Sequence, residues 1–308
     1  MRPVFYTAAM HMKGLLGSAA ALLVAVATVA AQQPAPPPAA AAAPDGGNPW
    51  TTPVAPFTIV APIHYVGTKD LAAYLITTPA GHILIDGAVP SMAGEIEKSI
   101  RTLGFKPEDI KILLTTQAHY DHVGTLAHVQ ALSKASVRVM QGDDQLIADG
   151  GKSDYLFGGR AETQFAPVKV DVVLKDGDTV SLGGVTLTAL RTPGHTRGCA
   201  TYTMSVVDKG RTYAVVFPGS TTVNPGTRLV KNPSYPGIAD DYRRTFDRLA
   251  GLKPDIYLAA HAGAFDLEGK RARMKTEGVA AFVDPEGYRR LHAQKRAAFD
   301  EAIAAEGR

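Results

Sequence analysis

The spacing of apolar positions along this chain changes several times, and the changes mark its elements. Phe57 to Val66, Leu71 to Thr77 and His82 to Asp86 are short runs rich in β-branched and aromatic residues. Turn-forming Gly67-Thr68-Lys69-Asp70 and Pro79-Ala80-Gly81 separate them, which predicts an antiparallel meander. The period then lengthens to that of a helix: Met92, Ile96, Ile100 and Leu103 share one face, Ser91 stands at the N-cap position, and Gly104 ends the run. Ile110 to Thr115 predicts a buried strand, Gly124 to Ala135 a helix and Val137 to Met140 a strand. Strands are expected again at Asp171 to Leu174, Thr179 to Leu182, Val185 to Arg191, Ala200 to Ser205 and Arg211 to Phe217. Ile238 to Leu249 reads as a helix with Tyr242, Phe246 and Leu249 inward, and Ile256 to Ala259 as a last strand. Asp284-Pro285 opens a C-terminal helix, with Asp284 as cap and Tyr288, Leu291, Ala298, Phe299 and Ile303 on its buried side. Meander, helix and strand thus occur twice, before and after residues 149–167. An α/β fold explains that order: two mixed β-sheets sandwiched between helices, an αββα arrangement.

The segment from Asp149 to Pro167 is long, Gly-rich and aromatic, and a loop of that length inside a compact domain is usually functional. Tyr155 and Phe157 are its candidate substrate contacts, the alternative being that they pack inward. The N-terminus behaves differently from the rest. Residues 1–13 are basic without an acid, residues 14–29 are small and apolar, and Val29-Ala30-Ala31 fits a cleavage site. The apolar run is short for a membrane span and is read as a signal peptide over 1–31, with Met12 as an alternative start. Residues 32–48 form a Pro/Ala-rich linker without apolar periodicity, so the folded domain is expected over 49–308. This organisation predicts a periplasmic or secreted protein.

The net charge of +3 falls to +1 when Arg2 and Lys13 leave with the leader, so no basic field exists to hold nucleic acid or an anionic membrane. A monomer acting on a small molecule is expected. The single cysteine, Cys199, excludes an internal disulfide. It lies four residues after His195 and is read as a small buried residue rather than a thiolate ligand.

Gln117-Ala118-His119-Tyr120-Asp121-His122 follows the Ile110 to Thr115 strand and places four potential metal ligands in six residues. Side chains 117 and 119 would point the same way from extended backbone, toward one ion. Asp121 and His122 are adjacent and suit a second ion or a bridging role. His195 in Thr192-Pro193-Gly194-His195-Thr196 and His261 after the last strand also stand at strand ends. Zinc takes imidazole nitrogen and carboxylate oxygen, and a catalytic site leaves a position for water. A lone histidine is more often a structural hydrogen-bonder, and His64, His82, His128 and His292 are read that way. His11 lies in the leader.

These residues resemble the metallo-β-lactamase superfamily. They are joined by Ile83-Leu84-Ile85-Asp86-Gly87, and the resemblance spans about residues 50–306. Tyr65-Val66-Gly67-Thr68, Asn232-Pro233-Ser234-Tyr235-Pro236, Asp241-Tyr242-Arg243-Arg244 and Phe282-Val283-Asp284-Pro285-Glu286-Gly287-Tyr288 are similar to its subclass B3. The resemblance implies a first zinc held by Gln117, His119 and His195, a second held by Asp121, His122 and His261, and a supporting role for Asp86. It implies catalytic roles for His119, Asp121 and His195, with Asp121 positioning the nucleophile. Pro218-Gly219-Ser220-Thr221-Thr222 stands where two-metal thioesterases, lactonases and phosphodiesterases of the superfamily often carry a bridging Asp. Ser220 and Thr221 would instead help hold a substrate carboxylate, unless they are simple loop hydroxyls.

The activity so implied is zinc-dependent hydrolysis of the β-lactam amide of penicillins, cephalosporins and carbapenems by metal-activated hydroxide. Gln117 departs from the usual His at that position, and its neutral amide is a poorer zinc donor than imidazole. Two zincs with a weaker first site, one zinc at Asp121, His122 and His261, and a dead site are the three outcomes, in that order. A lactonase, thioesterase or esterase on the same fold is the alternative activity, and a non-catalytic metal-binding relative the last.

Overall fold

The computed structural model describes residues 47–307. The expected signal peptide and the linker as far as residue 46 lie outside the described residues. Twelve strands form two mixed sheets among these residues. The first sheet begins with β1 (Phe57–Val60), β2 (Ile63–Tyr65), β3 (Tyr74–Thr78) and β4 (Gly81–Ile85), all antiparallel. The single strand expected over Phe57 to Val66 is two, divided at Ala61-Pro62, where Pro62 has no N–H for a ladder. Helix α1 (Ala93–Thr102) then crosses to β5 (Ile110–Leu114), which lies parallel to β4. Helices α2 (Tyr120–Val123) and α3 (Leu126–Ser133) lead to β6 (Ser136–Met140), and α4 (Asp144–Asp149) precedes β7 (Val172–Leu174). The second sheet holds β8 (Thr179–Leu182), β9 (Val185–Arg191), β10 (Ala200–Asp208) and β11 (Arg211–Phe217), antiparallel in sequence order. After α5 (Ile238–Ala250), β12 (Ile256–Tyr257) closes it parallel to β11. Helices α6 (Leu267–Glu277) and α7 (Pro285–Glu306) complete the chain.

The alternation of β4 and β5 explains the layering. Ile83, Ile85, Ile112 and Leu114 enter the core between the sheets, where they join Leu187, Tyr202, Val215 and Phe217. Their neighbours Leu84 and Leu113 face the other way, onto Ile96 and Ile100 of α1 and Val129 of α3. Strands buried on both faces read as continuous apolar runs for this reason. Tyr242, Phe246 and Phe299 form a separate outer cluster between α5 and α7. The architecture is therefore the expected helix–sheet–sheet–helix sandwich.

Two helix starts depart from the sequence reading. Ser91 does not cap α1. It lies inside a short 3₁₀ turn over Pro90–Met92, Met92 takes the cap position, and no side chain bonds there. Helix α6 was not expected, because its sequence is nearly all polar and charged and carries no apolar stripe. Its start is fixed locally: Asp266 accepts from the Gly269 N–H at 3.2 Å. Asp284 does cap α7 as expected, accepting from Gly287 N at 2.8 Å.

Candidate metal centre

The ligands predicted from sequence converge at one end of the sandwich, beyond the C-terminal ends of β4, β5 and β12 and the end of β9. After β5 the chain bends at Thr116 and again at His119, whose φ and ψ are −100° and 149°, and both Gln117 and His119 reach the same nitrogen of His195. Gln117 and His119 therefore share a side, and the turn of α2 then swings Asp121 and His122 round toward His261. Asp121, His122 and His261 offer ligand atoms that all lie within 4.8 Å of one another. Asp121 Oδ2 is 3.2 Å from His122 Nε2 and 3.6 Å from His261 Nε2. The other three meet beside them, with His195 Nε2 3.1 Å from His119 Nδ1 and 3.2 Å from Gln117 Nε2.

Each imidazole is set by what its outer nitrogen touches. His195 Nδ1 is 2.7 Å from the Thr222 carbonyl, which can only accept, so Nδ1 carries the proton and Nε2 a lone pair. His261 Nδ1 lies 2.9 Å from Asp70 Oδ2, and His119 Nε2 3.3 Å from Asp154 Oδ2. Burial raises the Asp154 pKa, but the bond from His119 outweighs it and the carboxyl stays ionised below its usual value. His119 therefore donates from Nε2 to Asp154 and turns Nδ1 toward His195. His122 is fully buried, with Asp86 Oδ2 3.6 Å from its Nδ1. Burial pushes its pKa down, while the Asp121 and Asp86 carboxylates outweigh burial and hold it at about 10. Burial and the adjacent His119 push His195 down to about 3. Burial opposes ionisation of Asp121, and His122 overrides it, leaving the carboxyl well below the usual range.

The loops that hold these side chains are drawn tight. Asp86 adopts φ 58° at the end of β4 and receives Thr116 N and Thr116 Oγ1, both at 2.7 Å. A Cβ on Gly87 would fall 2.1 Å from Thr125 Oγ1, and one on Gly194 2.8 Å from the Tyr242 ring. These glycines let the backbone close over the site.

A family profile for the metallo-β-lactamase superfamily matches residues 70–261, which contain every ligand named above. The chain belongs to this superfamily. Among solved structures, the native FEZ-1 metallo-β-lactamase of Legionella gormanii is 43% identical with a TM-score of 0.82, the match covering 83% of this chain and 98% of that one. BJP-1, a subclass B3 metallo-β-lactamase of Bradyrhizobium japonicum, is 38% identical with a TM-score of 0.80, over 84% and 97%. A hydroxyacylglutathione hydrolase of Bradyrhizobium sp. (strain ORS 278) is 29% identical over 56% of this chain and 56% of its own length. A probable metallo-hydrolase of Burkholderia pseudomallei is 27% identical over 47% and 49%. The chain thus spans about half the length of these curated relatives.

Metallo-β-lactamase superfamily members are metal-dependent, and the residues here fit a cation. His119 Nδ1 and His195 Nε2 face each other 3.1 Å apart, a separation that a proton or a shared cation between the two nitrogens accounts for. Nitrogens sharing one zinc at about 2.0–2.1 Å stand at a similar separation. His122 is buried with Asp121 Oδ2 3.2 Å from Nε2 and Asp86 Oδ2 3.6 Å from Nδ1, so a cation beside Asp121 would take the place of the proton that these carboxylates otherwise hold on the ring. Gln117 fits less well. The Ser220 N–H points at its Oε1 at 3.2 Å, which turns the amide NH₂, a group without a lone pair to donate, toward His195.

Several residues of the site were not found from sequence. Asp70 lies in the first turn, where it read only as turn-forming. Its carboxylate also accepts from Trp50 Nε1 at 3.1 Å, so the start of the described chain braces His261. Asp154 is hidden in the Gly-rich loop. Asp143, fully buried, accepts from Ala118 N at 2.9 Å, Thr196 Oγ1 at 2.6 Å and Gly198 N at 2.7 Å, tying the segment of His119 to that of His195. Its signal was available: like Asp86 it is an acid just past an apolar strand. Phe157 packs edge-on against His119, ring centres 5.2 Å apart. Tyr155 is turned inward, its hydroxyl 3.4 Å from the His195 carbonyl and its ring on Tyr235. Cys199 is buried, and burial raises its thiol pKa far above the usual value, in keeping with a small packing residue.

Proposed function

We propose that the protein is a zinc-dependent β-lactamase, exported by residues 1–31, tethered by 32–48 and acting as a periplasmic monomer. The observation that carries the reading is likeness over the whole domain: β-lactamase structures match at 37–43% identity across 95–98% of their length. The hydroxyacylglutathione hydrolases match over about half of theirs. The loop closing the first site supports it, since residues 218–222 carry hydroxyls and no carboxylate.

Gln117, His119 and His195 would surround a first zinc, and Asp121, His122 and His261 a second. Bound zinc supplies an acidified water at neutral pH and a Lewis acid for the amide carbonyl. Asp121, ionised between the two groups, accepts hydrogen bonds from water and orients it. Asp70, Asp154 and the Thr222 carbonyl keep three imidazoles in the tautomer whose lone pair faces the reaction. Ser220 and Thr221 offer hydroxyl donors to the substrate carboxylate. Phe157 forms an apolar wall beside His119.

The thioesterase reading retains a specific support, the 28–30% identity to hydroxyacylglutathione hydrolases over 172–173 residues. A paired assay separates the two. Purified zinc-loaded protein should open penicillin, cephalosporin and carbapenem rings and leave a glutathione thioester almost untouched. Preference for the thioester would reverse the assignment.

A further inference from the structure

Asp143 takes no part in the chemistry proposed above, yet it lies fully buried between the two segments that carry the first-site ligands. Its Oδ2 accepts from Ala118 N, which stands between Gln117 and His119, and from Thr196 Oγ1, next to His195. Its Oδ1 accepts from Gly198 N. The backbones of the two segments are pressed together at the same place. A Cβ on Gly198 would fall 2.3 Å from Asp143 N, and one on Gly142 2.7 Å from the Arg197 carbonyl carbon. A side chain at either position would part the segments. Arg191 bridges the same pair from outside, donating to the Gln141 and Arg197 carbonyls at 3.2 and 2.8 Å. The second site is held by other acids: Asp86 bonds Thr116 beside His122, and Asp70 bonds His261. Among the described residues no hydrogen bond joins Asp143 to Asp121, His122 or His261.

We propose that Asp143 is the positioning residue of the first metal site, fixing the spacing of His119 and His195 and so setting that site's affinity independently of the second. Gln117 turns its NH₂ toward His195, so the first site depends on its two imidazoles. A ligand pair already held at the right separation spends less on ordering when the ion arrives. A carboxylate suits the place because both of its oxygens accept. An amide of the same shape offers one accepting oxygen and turns its NH₂ onto the remaining donors. The inference rests on the two-site metal arrangement proposed above, but not on the choice of substrate.

The test is a zinc titration of the metal-free protein against a chromophoric chelator, which resolves the two stepwise affinities. His261→Ala, which removes a second-site ligand, shows which step belongs to which site. Asp143→Asn should weaken the first-site step by about tenfold or more and leave the second-site step within about threefold of the parent. Thr196→Val, which keeps the shape and removes one donor, should weaken the first-site step several-fold, and Thr196→Ser should restore it. Phe299→Leu, in the outer cluster, should lower the melting temperature and move neither step, so that lost stability alone does not imitate the effect. If Asp143→Asn does not fold, the contrast of Thr196→Val with Thr196→Ser decides. A parent-like first-site step in the variants, or equal weakening of both steps, would overturn the proposal, as would a parent that binds a single zinc. Carbapenem turnover by the parent is followed separately. Selective loss of the first-site step in a protein without turnover keeps the role of Asp143 and removes the β-lactamase reading. Turnover with no selective loss does the reverse.

Discussion

Gln117 carries the most consequence of any single residue, because its amide is already committed. Ser220 N holds Oε1, so the NH₂ faces His195, and an amide oxygen could reach a metal there only by giving up that bond. Gln117→His should tighten zinc at the first site on the order of tenfold and raise zinc stoichiometry at limiting metal. Loss of the Ser220 bond would offset part of this, by about 1 kcal/mol. Unchanged metal content and affinity would show that Gln117 is not what weakens the site. The ligand residues themselves were legible because five of them sit in short motifs at strand ends. Their supports were not. Asp70 and Asp154 act through side-chain contacts with segments 191 and 35 residues away, and nothing in their local sequence distinguishes them from turn or loop acids; Asp143, just past the apolar β6, did carry a signal.

At the scale of elements, what could be read followed what is local. Buried strands announced themselves as apolar runs, and α5 and α7 as amphipathic periods with caps. Helix α6 carries no such stripe, and α2 is a single turn that gives Asp121 and His122 to the site and Val123 to the core. The start of α7 offers a check on local energetics. Asp284 caps the helix and lies 3.1 Å from the buried Lys270. Asp284→Ala should cost about 1–2 kcal/mol near neutral pH. Burial opposes ionisation of this carboxyl, but the Gly287 N–H and Lys270 outweigh it and lower its folded-state pKa. Its contribution is therefore complete above the unfolded value near 3.9 and fades as pH falls through the lower folded value. Thermal melts of parent and variant should converge in acid. A gap that persists at pH 2 would mean that the loss comes from packing.

Across the described residues, two sheets deliver six ligand positions from three strand ends to one edge, and the outer helices add a cavity that opens on His261. Among the described residues no helix is long and apolar enough to cross a membrane. The fold was legible in the order of its elements because the two halves repeat that order. The cavity was not, since it arises only when α7 packs against residues 218–222 and His261. The central claim is a zinc-dependent opening of β-lactam rings. The most direct measurement follows carbapenem hydrolysis by the purified protein while its metal content is read by mass spectrometry. Turnover that disappears with a chelator and returns in step with one to two zinc ions per chain is the predicted result. Protein that retains its zinc and leaves the carbapenem intact would contradict it.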